Sequence, residues 1–458
     1  MYLAVDIGTS SLKAALCEGG SFWVEQLPLQ LTQADPCAEQ DPREWLEGLA
    51  VLLPRLLQRA GASPERIQAV GLSSHSPSLV PVDSHCRPLF PCLTWRDRRA
   101  VRQAEKLREQ TGEFFDPSFF EPKMLWLKEE RPEIYAQTRA FLQPKDFLIA
   151  WLTGEFVIDL PAARFSRAQA IGELESGKLP RPCPSWEVVG KTQKRAQELG
   201  LAPGIPVVAG GIDAYVEALG AGLVEEGQFG DATGTSTCLS CCLGEGSGVE
   251  GAVPHVIPER ELCILPLSSG GGTLAWALRQ LGGGVRYHEL EEALRAVPPG
   301  ADGLLFLPYL TGERSPLWDE GAKGVFFGIT AEHTRAHFLR AVLEGCALAI
   351  RHNVEHLEAM GLTPHSARAT GGGSRLGLWN QIKADVTGLT YEQLELADGA
   401  LLGGALLCAL AVEKRSEGDL AREYVRTKQV FTPRRQAVYE ELYAKYKALY
   451  AATKELMR

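Results

Sequence analysis

Tyr2-Leu-Ala-Val-Asp-Ile-Gly-Thr-Ser-Ser-Leu-Lys-Ala-Ala-Leu-Cys17 reads as a β-hairpin. An apolar run from Tyr2 to Val5 stops at Asp6, and Gly8, Thr9 and Ser10 make the turn. A second apolar run, Ala14 to Cys17, leaves it. Glycine lets successive N–H groups converge on one point, and the two hydroxyls add donors, so the corner suits phosphate oxygens. Asp6, at the strand end, is placed to hold a hydrated Mg²⁺ beside them. An ordinary tight hairpin has the same ingredients, and this stretch alone does not separate the two readings.

The pattern returns at Gly230-Asp-Ala-Thr-Gly-Thr-Ser-Thr-Cys-Leu-Ser-Cys-Cys-Leu243, where Asp231 precedes Gly234, Thr235 and Ser236. Gly234 lies 226 positions after Gly8, close to half of the 458 residues. A phosphate corner opening each half is the mark of a duplicated two-lobed fold with a nucleotide between the lobes.

Bulk composition agrees with an ordinary soluble globular chain, long enough for two or three domains. A net charge of −10 argues against nucleic acid or an anionic membrane as the main partner, and says nothing against ATP. The longest apolar stretch, Leu401 to Val412, is too short to span a bilayer and reads as a buried helix. No cleavable leader is read at the start, so the eleven cysteines are expected reduced in a cytoplasmic protein. Cys238, Cys241 and Cys242 lack a second Cys/His pair at usable spacing and are not read as a metal site.

Further along, Trp45, Leu49, Leu52, Leu53 and Leu56 recur at helical spacing within 41–58. A buried strand over 67–72 ends in Ser73-Ser74-His75-Ser76-Pro77, where polar groups at a strand end face a ligand crevice. Spacing alone leaves His75 open between ligand contact and a structural histidine. In Trp95-Arg-Asp-Arg-Arg99 the arginines read most simply as a solvated helix face. Residues 172–179 nearly spell a P-loop, but Leu179 stands where Ser or Thr must meet Mg²⁺, so that reading is rejected. Val207 to Ala209 run into Gly210 and Gly211, and Asp213 begins a small-residue helix. Asp213 is either an N-cap or a general base beside a closely approached phosphate acceptor. Gly371, Gly372, Gly373 and Ser374 follow a strand and precede a helix at Gly377, so their N–H groups are expected to face the α-phosphate. His352 and His356 match a zinc-protease string but lie opposite their helix's apolar face, which reads as solvated. Val438, Leu442, Tyr446 and Leu449 read as packing positions of a helix over 434–454.

The paired corners resemble the two phosphate motifs of the sugar kinase/Hsp70/actin superfamily, and longer stretches narrow the match to the FGGY carbohydrate kinases. Gly324-Val-Phe-Phe-Gly-Ile329, followed after seven residues by His337-Phe-Leu-Arg-Ala-Val-Leu-Glu344, fits every position of the second FGGY signature. Pro122 to Leu127 fits the first only in part, because Phe120 departs from it. Trp95 to Arg99, Pro144-Lys-Asp146, the glycines around Asp213, Phe306 to Pro316 and the glycines from Gly371 are similar to other family elements, the 306–316 stretch to xylulokinases in particular. The resemblance implies two α/β domains of the ribonuclease H-like, actin-like ATPase type, 1–222 and 223–458. It implies phosphoryl transfer from ATP–Mg²⁺ in their cleft to a sugar hydroxyl. Asp213 would be the base and Asp6 the metal ligand. Gly8, Thr9, Ser10, Gly234, Thr235 and Ser236 would hold the phosphates, with Lys13 offsetting charge. Gly371 to Ser374 and Gly377 would face the nucleotide, and Ser74, His75 and Trp95 the sugar. A ketopentose of the xylulose type is the expected substrate. However, xylulokinases carry Gln-Met-His, and glycerol kinases Gln-Arg-Glu, where this chain has His75-Ser76-Pro77. Another polyol, a hexulose or a sugar acid therefore stays open. An ATPase switch without sugar chemistry is the rival, against which Asp213 and Gly312-Glu313-Arg314 speak. The expected partners are the sugar and ATP, with neither nucleic acid nor membrane; a homodimer is a further expectation that no residue pattern specifies.

Overall fold

The computed structural model describes residues 1–165, 167–168, 171–434 and 436–458. They pack as two compact units. One comprises Met1–Gly222, Pro254–Pro258 and Ala400–Tyr424, the other Leu223–Val253, Glu259–Gly399 and Val425–Arg458.

The first unit is built on a seven-stranded sheet. Its main path runs Ser21–Pro28, Ser11–Glu18, Tyr2–Ile7, Ala69–Ser74, Pro206–Val208, Val188–Lys191, and the short strand Gly211–Ile212 also pairs with Ala69–Ser74. Tyr2–Ile7 is antiparallel to Ser11–Glu18 and parallel to Ala69–Ser74, with Asp6 opposite Lys13 on one side and Ser73 on the other. Every residue of Tyr2–Ile7 is buried, as expected of a central strand covered on both faces. Helix Pro42–Ala60 lays Trp45, Leu49, Leu52, Leu53 and Leu56 against this core. Its N-cap is Asp41, whose side chain accepts the Arg43 N–H at 3.0 Å. Asp41→Ala is expected to lower stability by about 1 kcal/mol, read as the shift in denaturant midpoint at unchanged slope.

Helix Gly399–Glu413 comes late in the chain, yet from Ala400 onward it belongs to the first unit. A Cβ on Gly403 would lie 1.9 Å from the Val216 carbonyl oxygen, so this small-residue stretch is a backbone-to-backbone contact. Among the described residues no helix is long and apolar enough to cross a membrane.

The second unit repeats the plan. Its sheet runs Val253–Pro254, Arg260–Leu267, Thr237–Gly244, Phe229–Thr233, Ser366–Thr370, Thr390–Leu394, Thr427–Phe431. From Arg260–Leu267 onward the pairings are antiparallel, antiparallel, parallel, parallel, antiparallel. The first unit shows the same series from Ser21–Pro28 to Val188–Lys191. The duplication expected from the two corners is thus a duplication of sheet topology.

Helix Ala437–Thr453 buries Leu442, Tyr446 and Leu449, the packing role read from its periodicity. It also corrects the solvated reading of His352. That ring lies edge-on to Tyr443 and Tyr446, with centroids 6.4 and 6.3 Å away, under a covering helix that local sequence does not reveal. His356 is exposed.

Candidate active site

Asp6, Ser73 and Gly211 lie in one row across three parallel strands, since Asp6 pairs with Ser73 and Ser73 with Gly211. The row sits at the carboxyl ends of the strands, where open α/β sheets bind ligands. Asp213 follows two residues later as the first residue of helix Asp213–Gly220. Ile212 takes the cap position, so Asp213 is not the N-cap; its Oδ1 accepts the Ala214 N–H at 2.8 Å. Asp213 is half-buried. Burial, then the nearby Asp6 charge, push its carboxyl up to about 8 against the pull of the Ala214 N–H. Asp6 is 8 % exposed and accepts the Ser73 hydroxyl at 2.8 Å. Asp6 is a carboxylate at the strand end whose charge bears on Asp213, and a carboxylate oxygen is the ligand type that Mg²⁺ takes, so this residue fits the ion.

The glycines before Asp213 serve a purpose other than ligand approach. Gly210 has φ +67°, and a Cβ there would lie 1.8 Å from the Leu72 carbonyl oxygen. It therefore lets the chain bulge while it stays beside strand Ala69–Ser74, with Val207 opposite Val70 and Gly211 opposite Ser73, and so delivers Asp213 to the row. Lys145 anchors the same place: its N–H donates to Ser74 Oγ at 3.2 Å and its Nζ to the Ala209 carbonyl at 3.2 Å. That ammonium is buried and paired with Asp146 and Asp159. Ser74 is thus corrected from sugar contact to support, being fully buried against helix Pro144–Thr153.

His75 is corrected in the same sense. It is 2 % exposed, and both nitrogens are engaged, Nδ1 with Ser78 Oγ at 2.7 Å and Nε2 with Gln40 Oε1 at 2.9 Å. Burial, with the Lys123 charge, pulls its pKa down to about 3, so the ring is neutral. Gln40 reaches on to the Thr9 carbonyl at 2.7 Å. Trp95 remains at the surface, with its indole Nε1 donating to Thr9 Oγ1 at 2.8 Å. Lys123, fully buried, donates to the carbonyls of Pro77 and Thr94 at 2.9 and 2.8 Å and ties these two loops together. Arg99 is no solvated arginine: it pairs with buried Asp97 at 2.7 Å and with Glu39 at 2.6 Å. Gln40, Ser73 and Lys123 were missed as functional candidates; the signal for Gln40 and Ser73 is their place at strand ends, and for Lys123 its place in the partly matched 122–127 stretch, on helix Phe120–Glu130.

The second corner is more open than the first and also differs beneath. Gly234, Thr235 and Ser236 are exposed. Asp231, the counterpart of Asp6, is fully buried and paired with Lys383 Nζ at 2.8 Å, and the Thr233 hydroxyl donates to it at 2.6 Å. Its charge is already balanced. Behind the turn, the N–H groups of Gly271 and Gly272 donate to the carbonyls of Gly234 and Thr235, both at 2.8 Å. Buried Glu313 accepts from Ser268 N–H at 2.6 Å and from Arg314 N–H at 2.8 Å, and so fixes the approach to that glycine run. The signal for this prop was the run Ser269-Gly-Gly-Gly-Thr273.

The glycines from Gly371 also change role. Gly371 has φ +76°, its N–H donates to the Ala397 carbonyl at 2.7 Å, and a Cβ would lie 2.5 Å from the Thr233 carbonyl oxygen. Gly373 and Ser374 are buried. At the start of helix Gly377–Thr387, the Leu378 N–H is taken by Glu291 at 2.9 Å. Gly372 alone of the triplet is exposed, with Tyr287 donating to its carbonyl at 3.0 Å. The loop that was expected to face the α-phosphate therefore packs mainly on the second corner, with Gly372 as its open point.

Comparison with known proteins fits this geometry. Residues 1–220 match the N-terminal domain, and 232–412 the C-terminal domain, of the FGGY family of carbohydrate kinases. The chain is 31% identical over 434 residues to a xylulose kinase of Escherichia coli (strain K12), covering 89% of this chain and 88% of that one. It is 28% identical over 471 residues to a gluconokinase of Bacillus subtilis (strain 168), covering 94% and 91%. A crystal structure described as a xyloylose kinase from Brucella ovis superposes with a TM-score of 0.87 at 29% identity over 99% of both chains. With two duplicated α/β sheets, a Gly-Thr-Ser corner on each and both family domains matched in order, this chain belongs to the FGGY carbohydrate kinases, phosphotransferases of the actin-like ATPase fold.

Proposed function

We propose that this kinase moves the terminal phosphoryl group of ATP onto a hydroxyl of a ketopentose of the xylulose type, with Asp213 as general base. The observation that carries the reading is the row of Asp6, Ser73 and Gly211 at three parallel strand ends, with Asp213 just beyond it. Ala214 N–H holds Oδ1, which leaves Oδ2 to take the hydroxyl proton. In the unliganded chain that carboxyl keeps its proton near neutrality. Balancing the charge of Asp6 removes one of the two main causes and favours the ionised base. Mg²⁺ held by Asp6 would supply that balance and neutralise charge on the phosphates. Gly8 to Ser10 and Lys13, and in the second unit Gly234 to Ser236, are the proposed phosphate contacts. Gly372 and Tyr287 are proposed for the nucleotide, and the exposed Trp95 for the sugar.

Xylulose kinases among the relatives support the ketopentose. A sugar acid is the second reading, because His75-Ser76-Pro77 departs from the xylulokinase pattern and gluconokinases are nearly as similar. Coupled detection of ADP across a panel of ketoses, polyols and sugar acids decides between them. D-xylulose is expected to stimulate a slow basal hydrolysis most. A larger rate with D-gluconate would replace the ketopentose, and no stimulation by any of the panel would remove sugar-dependent turnover.

A further inference from the structure

Four separate segments of the first unit close a ring of hydrogen bonds whose polarity can be assigned throughout. Indole Nε1 of Trp95 can only donate, so Thr9 Oγ1 is the acceptor of their 2.8 Å contact. Gln40 Nε2 donates to the Thr9 carbonyl at 2.7 Å, which turns its Oε1 toward His75 Nε2 at 2.9 Å. That nitrogen therefore carries the imidazole proton. Neutral His75 then presents a bare Nδ1, which accepts the hydrogen bond donated by the Ser78 hydroxyl at 2.7 Å. Ser78 Oγ in turn accepts the Trp95 backbone N–H at 3.0 Å. Gln40, His75 and Ser78 are buried, so water does not compete for these bonds. The proton left unassigned in the ring is that of the Thr9 hydroxyl, on the half-buried corner beside exposed Ser10.

We propose that this ring fixes the Thr9 hydroxyl as an outward donor to a nucleotide phosphate oxygen, making Gln40, His75 and Trp95 positioning residues for phosphate binding; the inference rests on the kinase reading above. A free hydroxyl rotor samples several directions, and loses that freedom each time a ligand binds. One whose oxygen is already held by an indole N–H has its proton direction set beforehand, which is the preorganisation that phosphoryl transfer depends on. The ring also gives His75 a role that needs no contact with the sugar.

A double-mutant cycle on the full chain, read by calorimetric titration with ATP and Mg²⁺, tests this. Trp95→Phe keeps the ring system and removes the N–H; Thr9→Val keeps the shape and removes the hydroxyl. Thr9→Val is expected to weaken ATP roughly tenfold, as the loss of a hydrogen bond to a charged group does; Trp95→Phe leaves that donor in place but frees its rotor, and is expected to weaken ATP about three- to fivefold. The double variant should be no weaker than Thr9→Val within about twofold, because the two act through one proton. AMP, which lacks the terminal phosphates, should bind Trp95→Phe as it binds the parent. Should Thr9→Val fail to fold, Thr9→Ser serves instead: it keeps a hydroxyl, and ATP binding should stay sensitive to Trp95→Phe. Additive losses, full ATP affinity in Trp95→Phe, or an equal loss for AMP would each overturn the ring's role while leaving the kinase reading standing. A parent chain that binds no ATP would overturn both.

Discussion

Asp213→Asn is expected to lower kcat by about 10²- to 10⁴-fold, the usual contribution of a positioned general base, while ATP affinity stays within about twofold. The amide keeps the hydrogen bond from Ala214 N–H and cannot take a proton from the sugar. The same substitution has a stability signature of predictable sign. The Asp213 carboxyl is held at about 8 in the folded chain, chiefly by burial and then by Asp6, so the folded state binds its proton more tightly than the unfolded chain does. The stability from this group is therefore complete below the ordinary carboxylate range near pH 4 and is lost as pH rises through about 8. Asparagine is neutral throughout. The variant should gain on the parent across that window, by on the order of a few kcal/mol at its upper end, less whatever solvent screens at a half-buried site. Urea midpoints at pH 5 and pH 9 would show it. Unchanged turnover takes Asp213 out of the mechanism. A stability difference that ignores pH takes the carboxyl out of this environment.

Lys383→Met is expected to be the most damaging change away from Asp213. Lys383 reaches Asp231 at 2.8 Å and the Thr233 hydroxyl at 2.6 Å, and both charged side chains are fully buried. Rings of Trp379 and Tyr391 stand 4.9 and 5.9 Å from the ammonium. Methionine fills much of the volume but leaves an uncompensated carboxylate in the interior, a loss of about 3–5 kcal/mol. For a domain of this size that lowers the melting temperature by roughly 6–20 °C. Adding Asp231→Asn should restore most of it, because removing both charges of a buried pair costs far less than removing one. A melting curve that follows the parent's within about a degree would show that Asp231 holds no buried charge. The prediction also separates the two corners. Asp6 sits among other neighbours: it faces Lys13 in register, accepts the Ser73 hydroxyl and acts on Asp213 through its charge.

Much of the architecture was legible because it is local. An apolar run, a Gly-Thr-Ser turn and a second apolar run specify a hairpin within some fifteen residues, and two copies half a chain apart announced the repeated sheet. The second family signature, spanning 324–344, depends on spacing within one stretch and identified the family that the comparisons show. Helix Pro42–Ala60, with its cap at Asp41, followed the same short-range rules. The candidate site was legible in position and less so in role. Asp213 fell at the end of the strand row, whereas Ser74, His75, Gly371 and Gly373 proved to support their surroundings. Whether a polar side chain faces a ligand or a buried partner depends on residues that sequence distance conceals.

The chain's own order of residues settled where it turns, which strands are apolar and that the plan occurs twice, because backbone preference and hydrophobic period act over a few neighbouring positions. Only the folded structure decided that Asp231 meets a lysine 152 residues away, that His75 spends both nitrogens on Ser78 and Gln40, and that residues 400–424 join the first unit. Those outcomes follow from burial: a charge or imidazole taken out of water accepts whichever partner the packing brings within about 3 Å, and packing is made by the whole chain.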